Sequence, residues 1–426
     1  MCKAKVAVAG TEESVQASVP VQIAPSPKPT PMLGKRNWLR RGTGASILSV
    51  SFTSLALSGD ELRVSSSGGC ELLCSYNWID RPRPTIYVPG GAPTFKEVSV
   101  PMTLDKDSGI QYIDQNAARL PRYPFEVVFD ALQVMNPHAT FNKIDILVNR
   151  NSLRRLLEFC RGRGVDSFRL NLFVVDSTLI IERCTKSATQ MIHGSQDSGY
   201  GRSFEHAVTA THADLQGSMG HHCVLNYNLG ALKCAVRFEV DACVVPAGVD
   251  PETQVQGTTD SFGHDDVNSL VRDFQIVGLK NKRTSGQSTG STQVIRRGPG
   301  TSPNHMAEIK ANAKPPGQSM PQMWFGRTPH LIRGRHDKAT FTEVSVDNIS
   351  LDFEVWENQS RNQEALQKMV GLISRLREIV QATPERACVA VCERSLGPSA
   401  LEIFHSTGRR KPLPDHLVEK FWTSEN

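Results

Sequence analysis

The alternation in Phe238-Glu239-Val240-Asp241-Ala242-Cys243-Val244-Val245 constrains this chain more than any other feature. On a strand, the two-residue side-chain period sends Phe238, Val240, Ala242 and Val244 to one face and Glu239 and Asp241 to the other. A second segment, Met306-Ala307-Glu308-Ile309-Lys310-Ala311, repeats the pattern with Glu308 and Lys310, which project together from a neighbouring strand. Carboxylates crowded beside apolar strands raise one another's pKa and resist burial unless a cation lies between them. Mg2+ or Mn2+ suits such a place, because both prefer oxygen ligands, retain water and polarise phosphate oxygens.

Glu-x-Asp followed by Glu-x-Lys on adjacent strands resembles the metal site of the PD-(D/E)xK nuclease superfamily. Upstream, Gly199-Tyr200-Gly201-Arg202-Ser203-Phe204-Glu205 is similar to the Gly-aromatic-x-aromatic-Glu element of the DXO-type decapping nucleases. That family orders its elements as an early arginine, this element, Glu-x-Asp and then Glu-hydrophobic-Lys, and the order here agrees. The resemblance implies that Glu205, Glu239, Asp241 and Glu308 bind one or two Mg2+ or Mn2+ ions, with the Ile309 carbonyl as a further ligand. It implies that Glu239, Asp241, Glu308 and Lys310 form the catalytic set, Lys310 orienting the attacking water or steadying the phosphorane. Residues 321–334 resemble the family's aromatic-rich helix and following strand. The family usually offers a Gln or Lys on that helix; Arg327 stands at the comparable place and, with Trp324, is the expected substrate contact.

What the resemblance implies for function is hydrolysis at RNA 5′ ends: release of pyrophosphate, of an incomplete cap or of an NAD cap, with 5′-to-3′ trimming and a 5′-3′ exoribonuclease as a partner. The alternative is a non-catalytic RNA-end or protein-binding module that retains the fold. Glu-x-Asp on a strand is often only a solvent face and Glu-x-Lys occurs by chance. Joint order and flanking strands favour the nuclease.

Composition narrows the rest. At 426 residues, 39% hydrophobic and 21% charged, the chain has the make-up of a globular protein with a sizeable core, and its net charge of +5 argues neither for nor against nucleic acid. Ten cysteines without an even framework, and a start lacking an apolar signal core, point to reduced thiols and an intracellular place, nucleus or cytoplasm. Cys70-x3-Cys74, Cys388-x3-Cys392 and His221-His222-Cys223 lack the paired two-residue spacing of zinc sites, and Cys388, Ala390 and Cys392 read as one buried strand face. No apolar run approaches the ~20 residues of a membrane span, so no membrane partner is expected.

Residues 1–45, punctuated by Pro20, Pro25, Pro27, Pro29 and Pro31, read as a disordered tail ending in a basic cluster. Residues 46–426 read as one α+β domain of the PD-(D/E)xK, DXO-like type, with a mixed central sheet and flanking helices. Within it, residues 246–304 read as a low-complexity insertion between core strands. A helix is predicted over 125–135, a strand at 144–148, a helix capped by Ser152, a hairpin turning at Asp176-Ser177, a strand pair around Leu229-Gly230-Ala231 and an amphipathic helix over 358–382. No phosphate-cradling Walker loop, dinucleotide fingerprint or nucleophile elbow is present. Asp265-Asp266-Val267-Asn268 suggests half of a prenyl diphosphate synthase motif. That chemistry needs two Asp-rich clusters facing each other across a helical barrel, so a lone pair in a Gly/Ser-rich loop excludes it.

Overall fold

The hairpin of Ser218–Leu229 and Leu232–Val240, which turns through Gly230 at φ +60°, lies inside an eleven-stranded mixed sheet. The computed structural model describes residues 37–55, 63–162, 166–189, 191–193, 199–245, 292–312, 316–394 and 400–422. All elements below belong to the unit Leu39–Asn426. The sheet runs in the order Thr43–Ser51, Ala400–Ser406, Ala387–Cys392, Phe168–Val175, Thr178–Cys184, Ile146–Asn149, Leu232–Val240, Ser218–Leu229, Glu71–Ile79, Thr85–Pro89 and Gln293–Arg297. Ile146–Asn149 is parallel to both its neighbours, and Gln293–Arg297 is parallel to Thr85–Pro89.

Helices cover both faces. Leu153, Leu156 and Leu157 of Arg150–Cys160 join Leu366, Ile373 and Leu376 of Ser360–Ala382 on one side. Glu126–Met135 and Asp415–Phe421 close the other, where Phe129, Phe141, Phe421 and Trp422 cluster. The side-chain period decides which core each strand residue enters. Cys234, Val236, Phe238 and Val240 join the first core and Ala235 the second, just as Cys388, Ala390 and Cys392 separate from Ala387. The nine described cysteines are free, as a reduced set would be.

A second sheet of seven short strands includes Thr94–Phe95, Ala242–Cys243, Met306–Lys310, His330–Asp337 and Thr340–Asn348. A third apolar cluster packs Phe204 and Val208 of the helix Gly201–Val208 on Ala242, Ala307, Ile309, Ile332 and Phe341 of this sheet.

The structure corrects the predicted elements at four points. The alternation that begins at Phe238 does not run unbroken to Val245: Asp241 belongs to no strand, Val240 ends in the large sheet and Ala242 begins in the small one. Ala242 therefore enters the third cluster, not the core that holds Phe238. The first strand starts at Thr43, inside the expected tail. The end of the expected insertion is also ordered. Gln293–Arg297 pairs in register with Thr85–Pro89, and its two arginines are tolerated because an edge strand leaves them in water. Residues 1–36 and 246–291, with Asp265 and Asp266, lie outside the described residues. Lastly, Ser152 is buried within Arg150–Cys160, whose N-cap is Asn149; the Asn149 amide is turned to Arg237 Nε at 2.9 Å, so it makes no cap bond.

Candidate metal and catalytic centre

Two strand ends and one helix bring the acidic residues together. Glu239 is the penultimate residue of Leu232–Val240, Asp241 is the link between the sheets, and Glu308 and Lys310 lie on Met306–Lys310. Asp241 Oδ2 accepts the Ile309 N–H at 2.9 Å, which ties the link to the strand Met306–Lys310. Glu205 arrives from Gly201–Val208, a helix whose first turn is held by Asp107 Oδ1 through the N–H groups of Arg202 and Ser203 at 2.9 and 3.0 Å. Phe204 and Val208 bury the helix's apolar face, leaving Glu205 on the side toward Glu308 and Lys310.

Glu239 is reached by solvent, but a wall forms beside it. His222 stands opposite Glu239 and Tyr76 opposite His222 in the sheet, and the two rings stack with centroids 5.2 Å apart. The carboxylate lies against the backbone of Gly220, where a Cβ atom would sit 2.5 Å from Glu239 Oε1. Only glycine permits that approach.

The electrostatics separate one acid from three. Burial pushes the Glu308 carboxyl up, but Lys310 and Arg150 outweigh it and hold its pKa below the ordinary value. Desolvation by the protein packed around them, then the neighbouring carboxylates, raise the other three, although Glu239 keeps one side open to solvent and so feels the first effect least. Glu239 rises to about 7, with Glu205 as the main neighbour. Glu205 rises to about 7 with Glu308 against it, and Asp241 lies well above its usual range for the same reason. Burial lowers Lys310, but Glu308 and Asp241 more than restore it. A charge deficit is thus built into the site.

Two residues of the site escaped the sequence reading. Arg150, at the start of its helix, is buried; it donates to the Glu239 carbonyl at 3.3 Å, contacts Glu308 Oε2 at 3.3 Å and stacks over Phe238 at 4.9 Å. A Cβ on Gly326 would lie 2.9 Å from Arg150 Nη1, so that glycine makes room for the guanidinium. Gln322 donates from Nε2 to Glu308 Oε1, which also accepts Lys310 Nζ, while Gln322 Oε1 accepts Arg154 Nη1 at 3.0 Å. Gln322, on the helix that Arg327 ends, is the residue of that helix whose side chain reaches Glu308.

Trp324 and Arg327, the expected substrate contacts, are placed elsewhere. Trp324 is fully buried, and its Nε1 donates to Glu357 at 2.7 Å. Arg327 ends the helix Met320–Gly326 in the left-handed region at φ +47°, which folds its side chain back between Tyr227 and Trp324, 4.2 Å from each ring. At 7% exposure it faces the core, not the carboxylates.

Among the described residues, no three His, Cys, Asp or Glu side chains already stand in a metal-holding cage. The donor chemistry nonetheless fits a hard divalent cation: every acidic group offers oxygen, burial and one another's charge make three of them resist ionisation, and buried Glu308 Oε2 accepts no hydrogen bond beside its 3.3 Å ion pair with Arg150. No helix among the described residues is long and apolar enough to cross a membrane.

A model of the family described as domain of unknown function (DUF8563) matches residues 51–422. No curated protein matches the chain in sequence. Among solved structures, Rai1 of S. pombe superposes with a TM-score of 0.52 at 12% identity, covering 84% of this chain and 99% of that one. S. pombe Rai1 in complex with 3′-FADP gives 0.50 at 12% identity, with the same coverage. The chain thus has the Rai1 fold, the α+β architecture with a mixed central sheet and flanking helices that the DXO-type resemblance implied.

Proposed function

We propose that this chain, which belongs to the family described as domain of unknown function (DUF8563), is a divalent-metal-dependent hydrolase of RNA 5′ ends. The reading rests on one observation: at the junction of two sheets Asp241 is bound to the Ile309 N–H, between Glu308 and Lys310, where Glu308 and Glu205 raise the pKa of Glu239 and Asp241, and Glu308 that of Glu205, in a way that a cation would relieve. A structural acidic cluster gains nothing from that arrangement. The fold it shares with S. pombe Rai1, a protein solved with the nucleotide 3′-FADP, supports a phosphate-bearing substrate.

Glu205, Glu239, Asp241 and Glu308, with the Ile309 carbonyl, would hold Mg2+ or Mn2+. When bound, the ion polarises a phosphate oxygen and makes neighbouring water more acidic. Lys310, anchored on Glu308 yet partly open to solvent, presents its ammonium to the attacking water or to the charge that grows on the phosphoryl oxygens. Arg150 fixes Glu308 relative to the Glu239 backbone, and Gln322 fixes the other Glu308 oxygen. The substrates are 5′-triphosphate, incompletely capped or NAD-capped RNA, with a 5′-3′ exoribonuclease as the enzyme that consumes the product.

The test is release of pyrophosphate or nucleotide from a panel of such RNAs with Mg2+ or Mn2+, for wild type beside Lys310→Ala. Wild type is expected to turn over; Lys310→Ala is expected to bind the ion, by calorimetry, with turnover lost. A wild-type chain that binds RNA yet releases nothing with either ion is the binding module instead.

A further inference from the structure

The geometry points to Ser66 as a phosphorylation site whose modification breaks one buried clasp and makes another. The segment Arg63-Val64-Ser65-Ser66-Ser67-Gly68-Gly69 is held across the helices Ser350–Glu357 and Ser360–Ala382 by a few polar contacts. Val64 is buried, its N–H donating to Gln363 Oε1 at 2.7 Å and its carbonyl accepting Gln363 Nε2 at 3.1 Å. Beside it, the Glu357 carboxylate accepts Ser65 Oγ at 2.6 Å, the Ser66 N–H at 2.9 Å, Ser66 Oγ at 2.7 Å and Trp324 Nε1 at 2.7 Å. No ion pair to Glu357 is found among the described residues. One carboxylate held by neutral donors therefore joins the segment to the helix Met320–Gly326, which carries Gln322 to Glu308.

A phosphoryl group on Ser66 cannot share that place. It carries a charge of about −2 at neutral pH and would stand at hydrogen-bond distance from Glu357, a like charge in a shielded pocket. A receiver lies close by. Arg327 is buried with Nε and Nη2 lacking partners, 4.2 Å from the ring of Trp324, whose Nε1 donates to the same Glu357 oxygen that accepts Ser66 Oγ. A guanidinium with spare donors is the usual acceptor for phosphoserine. Ser67, Gly68 and Gly69 beside it are exposed, and Gly69 at φ +70° with open space around it allows the chain to pivot. Arg63 stands three residues before Ser66, a spacing that basophilic Ser/Thr kinases read. The step balances as ordinary phosphoryl transfer. The γ-phosphorus of ATP bonds to Ser66 Oγ, its bond to the β,γ-bridging oxygen breaks, the hydroxyl proton passes to the kinase's base, and ADP leaves. Because Trp324 shares the Glu357 carboxylate, loss of the clasp loosens the helix that presents Gln322. The inference does not rest on the hydrolase reading.

The experiment treats the full chain with ATP and a basophilic Ser/Thr kinase. One phosphoryl group is expected at Ser66 and none in Ser66→Ala, with protease cleavage within residues 61–69 rising about tenfold on modification. In a double-mutant cycle, Ser66→Glu is expected to lower the Tm, and adding Glu357→Gln to recover at least half of that loss. Three outcomes overturn the proposal: a native chain left unmodified while a peptide of residues 61–72 is phosphorylated, a modified chain with an unchanged cleavage pattern, or additive effects in the cycle.

Discussion

Two carboxylates flank the helix Met320–Gly326 and answer burial in opposite ways. Glu308 and Glu357 are 2% and 1% exposed, and both hold pKa values below the ordinary carboxylate range against the upward push of burial. Glu357 does so with neutral dipoles: Ser65, Ser66 and Trp324 satisfy its oxygens, and no ionised neighbour is needed. Glu308 does so with Lys310 and Arg150, while Asp241, Glu205 and Glu239 crowd it. A carboxylate that serves the fold is saturated with donors. One proposed to hold an ion is left among like charges and with an oxygen that accepts no hydrogen bond, because a saturated oxygen has no lone pair to offer an ion.

The widest separation between the two sites should appear in catalysis. Asp241→Asn keeps an acceptor for the Ile309 N–H but removes the charge, so RNA 5′-end hydrolysis should fall about a thousandfold, or about 4 kcal/mol of transition-state stabilisation. Its metal-free stability in urea should match or exceed wild type; a marked loss of stability would mean that Asp241 is a structural acid like Glu357. Next in size is Glu357→Ala, expected to cost about 3 kcal/mol in urea unfolding, since it strands the buried Trp324 N–H and two serines. A variant as stable as wild type would end the contrast.

Gly220→Ala tests the wall beside Glu239. The added Cβ would meet Oε1 at 2.5 Å, so the carboxylate must shift. Metal affinity measured by calorimetry should drop about tenfold, with about 1–2 kcal/mol lost from the fold. The smallest effect is the pH dependence. Glu239 and Glu205 have folded pKa values raised to about 7, so their contribution is intact below their unfolded pKa and is lost as pH rises through 7. His221 and His222 act in the other sense. Burial lowers both to about 3, so their share is present above the unfolded histidine pKa of about 6.5 and is lost as pH falls toward 3. Melting curves of wild type and Glu239→Gln should therefore coincide near pH 4 and diverge through pH 7, wild type melting lower. Added Mg2+ should raise the wild-type Tm more at pH 8 than at pH 5.

The residues that could be read from the sequence are those whose spacing alone sets their direction. Glu239, Glu308 and Lys310 follow from the two-residue period, and Glu205 from the Gly/aromatic segment before it. Arg150 could not be found that way. It stands in Arg150-Asn151-Ser152-Leu153-Arg154-Arg155, where three arginines fit a solvated helix start, and only the parallel pairing of Ile146–Asn149 with Leu232–Val240 sets it beside Glu239. Gln322 was hidden because the helix begins at Met320 and ends at Gly326, which turns Gln322 outward to Glu308 and Arg327 inward. The edge strand Gln293–Arg297 was missed because its basic side chains match its low-complexity surroundings, and its place depends on a partner some two hundred residues away in the chain. Strand period is local information, whereas pairing is not.

The change of sheet at Asp241 has a mechanical consequence. Glu239 moves with the eleven-stranded sheet and Glu308 with the seven-stranded one, and Asp241 is the single residue between them. The distance between the two carboxylates is therefore a measure of shear between the sheets. An ion gripped from both sides would act as a rivet, stiffening the joint between the two sheets.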